Sequence, residues 1–149
     1  MAQKTEGSRR KKVTTRQQKD EDRRNEIAKL TEEIEGLRSR LEEVNEERGQ
    51  LDLPQLENLT LHHAQYGDGT VIAQNRDVIT VSYPSGERRQ KLTFVIASGC
   101  VTLDDESIRA ECQKILFLDR EQEKLNREIR HRMSRISDLE SEIARYQRE

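Results

Sequence analysis

The sequence predicts an α+β protein: an antiparallel helical coiled-coil hairpin with an inserted five-stranded small barrel. Three observations predict it. Two runs of heptad-spaced apolar residues flank the chain's middle; that middle is rich in β-branched residues cut by Gly- and Pro-bearing turns; and the composition is 38% charged and 3% aromatic, with no Trp. Such a composition suits long helices with charged outer faces and leaves only enough apolar material for a small globular core.

The first run places Ile27, Leu30, Ile34, Leu37, Leu41, Val44 and Leu51 at alternating three- and four-residue steps, with Arg48 filling the one gap. That spacing is the seam of a coiled coil, predicted over residues 20–52. Leu53-Pro54 closes the helix, because proline and the residue before it both resist helical continuation. The second run, predicted over residues 105–149, carries Ile108, Ile115, Leu118, Leu125, Ile129, Ile136, Leu139, Ile143 and Tyr146. Glu111, Gln122 and Arg132 interrupt it. An inserted head requires the helix ends at Leu51 and Ile108 to approach, so the helices run antiparallel. Setting Leu51 opposite Ile108 puts Arg48 against Glu111 as an opposite-charge pair, and this register is favoured. A one-heptad shift, with Leu51 against Ile115, competes. In the favoured register Ile136, Leu139, Ile143 and Tyr146 have no partner stripe inside the chain, which predicts a homo-oligomer, most simply a dimer, joined there.

Residues 1–19 hold seven Lys or Arg against Glu6 alone, leaving the remainder net acidic. With few apolar residues to offset ordering entropy, this basic tail is predicted to be disordered. Arg9, Arg10, Lys11 and Lys12 would contact phosphate, or simply keep the chain in solution. No stretch approaches the roughly 18 consecutive apolar residues a membrane span needs, and no secretory signal is visible, which predicts a cytoplasmic protein without membrane contact. Cys100 and Cys112 fit neither a disulfide framework nor a zinc ribbon and read as small buried side chains.

Residues 58–104 change period. Leu59 and Leu61, Val71 to Gln74, Val78-Ile79-Thr80-Val81-Ser82-Tyr83, Arg88 to Val95 and Cys100 to Leu103 read as five short strands. Asn75-Arg76-Asp77 and Pro84-Ser85-Gly86-Glu87 supply the turns. Gly67 and Gly69 precede a strand rather than a helix, so they form no phosphate loop. Asp104 or Asp105 caps the second helix.

His62 or His63, Tyr66-Gly67-Asp68-Gly69-Thr70-Val71, Ile79 to Tyr83, Ser85-Gly86-Glu87 and Leu92-Thr93-Phe94 occur in an order that resembles the small SH3-like or Tudor-like domain at the C-terminus of UvrD/PcrA-type DNA helicases and of many bacterial proteins. The resemblance covers roughly residues 60–103. It departs from the pattern at Val95-Ile96-Ala97, where a Pro and a second aromatic are usual. It implies an SH3-like barrel and a partner in DNA-repair or transcription machinery, RNA polymerase among them.

Catalysis finds no support. His62 and His63, adjacent on a strand, face opposite ways and cannot chelate one metal together, and neither cysteine has a histidine at a useful spacing. No cofactor or metal is expected. The predicted function is therefore a non-enzymatic adaptor that oligomerises through its coiled coil and presents the barrel to a protein or nucleic-acid partner. The alternative is an inhibitor or sequestering protein that binds a host enzyme or small ligand. On the barrel, Tyr66, Tyr83 and Phe94 either fill the interior or offer a partner platform. Arg76, Arg88, Arg89 and Lys91 concentrate positive charge there.

Overall fold

The computed structural model describes the backbone of residues 2–148 and the side chains of residues 15–145. The elements run α1 (Ala2–Gly49), β1 (Thr60–His63), β2 (Gly67–Asn75), β3 (Val78–Tyr83), β4 (Gly86–Lys91), α2 (Leu92–Ala97), β5 (Val101–Thr102) and α3 (Glu106–Arg148). The chain divides into two compact units, Met1–Leu41 with Lys124–Glu149, and Glu42–Glu123. Among the described residues no helix is long and apolar enough to cross a membrane.

Helix α1 begins at Ala2, so the segment expected to be disordered continues the helix. No proline interrupts it, and once packed turns have nucleated a helix, each further residue gains one hydrogen bond for one residue fixed. The side chains of Arg9, Arg10, Lys11, Lys12 and Tyr146 lie outside the described residues.

In the first unit, α1 and α3 pair antiparallel through a ladder of ion pairs. Arg23 Nε lies 3.0 Å from Glu142 Oε2, Arg135 Nε 3.2 Å from Glu26 Oε1, and Arg132 Nε 2.9 Å from Glu33 Oε2. These pairs set Leu41 against Leu125, Leu37 against Ile129, Leu30 against Ile136 and Ile27 against Leu139. That is the one-heptad-shifted register, not the favoured one. Leu139 is accordingly 1% exposed, and Ile136 and Ile143 are half-buried by the same chain. Of the stripe on which the dimer expectation rested, Ile136, Leu139 and Ile143 thus lie along α1. The shift is favoured because it takes Leu139 out of water, about 1.5–3 kcal/mol for a side chain fully buried, and half-buries Ile136. The second unit keeps the same shift: Arg48 Nε donates to Asp119 Oδ1 at 2.8 Å rather than meeting Glu111, and Gln122 Nε2 donates to Asn45 Oδ1 at 2.6 Å.

The second unit holds one five-stranded antiparallel sheet, ordered β4-β3-β2-β1-β5. It is not closed into a barrel, and β4 and β5 remain its edges. Between Val71 and Ala73 a bulge shifts the β2–β3 register, leaving Ile72 exposed beside the buried Val71. Gly86 takes φ 129° after Pro84-Ser85, as the tight β3–β4 hairpin requires. Gly69 serves another purpose: a Cβ there would lie 2.6 Å from Tyr83 Cδ1, so the Tyr83 ring packs directly on the bare backbone. The core gathers Leu61, Val71, Ile79, Val81 and Tyr83 from the strands, Leu92, Val95 and Ile96 from α2, and Cys112 from α3. Gln74 ties the incoming chain to this sheet, accepting from Leu56 N at 2.8 Å and donating to Pro54 O at 2.9 Å.

The largest departure from the sequence prediction is α2. Residues 88–95 read as one strand, yet β4 ends at Lys91 and Leu92–Ala97 is a helix. Asp77, in the β2–β3 turn, makes the difference. Its carboxylate accepts from Thr93 N at 2.9 Å and from Thr93 Oγ1 at 2.8 Å, capping the helix from a remote turn. A strand would have turned Leu92, Phe94 and Ile96 to the core. The helix instead buries Leu92, Val95 and Ile96 at one-turn spacing and turns Phe94 outward.

Candidate functional site: an apolar groove between α2 and α3

Phe94 is 47% exposed on α2 and Phe117 is 59% exposed on α3. These are the chain's only two phenylalanines. They flank a depression of about 270 Å3 lined also by Ala97, Gln113, Leu116 and Arg120. At ~200 Å2 per phenylalanine side chain, the pair leaves about 200 Å2 of apolar surface in water. Burying that area is worth ~5 kcal/mol at 25 cal/mol per Å2. Single exposed apolar residues are ordinary; here two aromatics line the same groove.

Both rings are held by what lies beneath them. Phe94 lies in the Asp77-capped first turn of α2, and its helix is anchored by buried Leu92, Val95 and Ile96. Phe117 sits on α3 between Leu116 and Leu118, which are 9% and 2% exposed, so the helix cannot rotate Phe117 inward without expelling them. Arg120, one turn on, forms no ion pair among the described residues.

The barrel residues expected from sequence fall in four places. Tyr66, Tyr83 and Arg88 come together with His63: the Arg88 guanidinium stacks 3.8 Å over the Tyr66 ring, and the Tyr66 ring lies 4.3 Å from His63 and 5.4 Å from Tyr83. Tyr83 is core, 4% exposed, its hydroxyl donating to Gln90 Oε1 at 2.8 Å. Burial pushes the Tyr83 phenol above its usual range. Arg89 and Lys91 alternate with Arg88 along β4 and therefore face the other side of the sheet, where Lys91 Nζ lies 3.9 Å from Asp77. Arg76 is exposed in the β2–β3 turn at φ 56°. The basic residues thus form no single patch. Only Phe94 belongs to the groove.

Phe117, Leu116, Gln113 and Arg120 escaped the sequence reading. The signal was the run Ile115-Leu116-Phe117-Leu118: a heptad seam uses Ile115 and Leu118, so the two apolar residues between them announce a second surface on the same helix.

Elsewhere in this unit His62 places Nδ1 2.7 Å from Asp68 Oδ1 and Nε2 3.2 Å from Asp104 Oδ1. Both ring nitrogens face carboxylates, so only the imidazolium donates to both, and the Asp68 contact leads in raising the His62 pKa. Asp105 caps α3, accepting from Ser107 N at 3.0 Å, and these Ser107 contacts hold its carboxyl below the usual range. Cys112 is buried, with its thiol pushed up to about 11, whereas Cys100 is exposed. Among the described residues no group of three or more His, Cys, Asp or Glu side chains is placed to hold a metal ion. No family model matches the chain, and neither a curated protein nor a solved structure matches it.

Proposed function

We propose that this chain is a non-enzymatic interaction module that docks a protein partner in the groove between Phe94 and Phe117. The observation that carries the reading is the outward placement of both phenylalanines, which α2 and α3 enforce while burying smaller residues beneath them. Within this reading the sheet unit is an open SH3-like fold: the meander β1 to β4, the helical turn α2 and a short β5 beside β1 give the strand order such a fold needs. The ion-paired helical unit is an antiparallel coiled-coil hairpin. The resemblance to UvrD/PcrA-type C-terminal domains names DNA-repair and transcription complexes as the first partners to examine. A nucleic-acid partner is less well supported, because Arg88 is stacked on Tyr66 and Lys91 lies near Asp77, and the cations are split between sheet faces.

The test is affinity capture from native lysate, with nuclease, on the full chain and on the Phe94→Glu/Phe117→Glu variant side by side. A protein retained under nuclease by the wild type and lost by the variant supports docking in the groove. Partners that survive both substitutions reject it. Partners lost to nuclease point to nucleic acid instead.

A further inference from the structure

Resting on that reading, we infer that the groove's occupant is an amphipathic helix of another protein, lying antiparallel to α3 with an acidic first turn at Arg120 and a basic last turn near Asp105 and Glu106. A second depression of about 270 Å3 continues the first one. Ile96, Val101, Asp105, Glu106 and Arg109 line it, and Gln113 belongs to both. Gln113 Nε2 reaches Ala97 O only at 3.5 Å, a bond at the limit of length, so it is a weak bar between the halves. The α3 residues involved, Glu106, Arg109, Gln113, Phe117 and Arg120, recur at helical spacing along one face. From Glu106 to Arg120 that face extends ~21 Å, the length of a ~14-residue helix.

Size and charge decide the occupant. A stable dimer buries about 600 Å2 or more on each partner, several times the ~200 Å2 that the phenylalanines offer, so a short helix fits better than a second copy of this chain. Charge runs along the groove: Arg120 stands unpaired at one end, and Asp105 and Glu106 outweigh Arg109 at the other. Helices favour Asp and Glu in the first turn and Lys and Arg in the last, because of their dipole. A helix so charged matches the groove in one direction only, N-terminus at Arg120.

The chain has no Trp, so a tryptophan in a peptide reports binding without background. Two 14-residue peptides of identical composition serve as probes, each with a Leu and Trp stripe at helical spacing, one with Glu first and Lys last and the other reversed. The Glu-first peptide should bind the full chain about tenfold more tightly, from the difference between matched and opposed end charges. Arg120→Glu should erase that preference, and Phe117→Asp should abolish binding of both while leaving helicity unchanged. Equal affinities, a preference for the Lys-first peptide, or undiminished binding to Phe117→Asp overturns the inference. So does a dimer of the full chain in sedimentation at micromolar concentration that Phe117→Asp dissolves. That result would make the groove a self-docking site and leave the docking reading standing. Partner capture insensitive to both phenylalanines would instead remove that reading itself.

Discussion

Gly69→Ala isolates one packing contact, because Gly69 does not occupy the left-handed region and alanine there meets no backbone strain. The added Cβ would lie 2.6 Å from Tyr83 Cδ1, 2.7 Å from Tyr83 Cε1 and 2.7 Å from Val81 Cγ1. Ordinary carbon contacts begin near ~3.5 Å, so the ring must move by close to 1 Å. Tyr83 is poorly free to do so: its hydroxyl is bonded to Gln90 at 2.8 Å, and Tyr66 and His63 flank the ring at 5.4 and 5.7 Å. Overpacking of this kind costs ~1–3 kcal/mol, against the ~0.4–1 kcal/mol that Gly→Ala gains at a permissive site by restricting the unfolded chain. Urea unfolding followed by tyrosine fluorescence reads this unit well, since Tyr66 and Tyr83 are two of the three tyrosines and both lie in it. In a Tyr83→Leu background the penalty should fall by more than half, as a double-mutant cycle would measure. A Gly69→Ala protein as stable as wild type, or a penalty that ignores the Tyr83 substitution, would refute the close-packing account.

Leu139→Ala should lower the stability of the helical unit by ~2–4 kcal/mol, as for a buried leucine; a change near zero in thermal unfolding by circular dichroism would restore the other register, in which Leu139 faced Asp20. The His62 imidazole should titrate above 6.5 by NMR, and Asp68→Asn should move it down more than Asp104→Asn. Because the folded pKa is raised, the stabilisation from this contact is complete below the ordinary value and fades as pH climbs from 6.5 through the raised pKa; a titration at or below 6.5 would show that the two carboxylates do not hold the ring. At pH 8 a disulfide reagent should modify the exposed Cys100 promptly and Cys112 only on unfolding, since burial holds the Cys112 thiol up at about 11; two fast thiols would mean that the core around α3 opens readily.

The sequence by itself determined the α+β class, the two long helices, the five strands and the Gly86 hairpin, because each rests on local chemistry: heptad spacing, β-branched runs and a residue able to take positive φ. It also named both candidate registers, since periodicity fixes which residues form a seam but repeats every heptad and so cannot fix their partner. Tertiary structure chose between them by burying Leu139 and pairing Arg48 with Asp119. It alone placed the site, too. Leu92-Thr93-Phe94-Val95-Ile96 has strand propensity, yet the carboxylate of Asp77, sixteen residues before Thr93, caps it as a helix that buries Leu92, Val95 and Ile96 and turns Phe94 outward. Contacts between residues so far apart in the chain leave no local pattern, and burial of neighbouring side chains decided them.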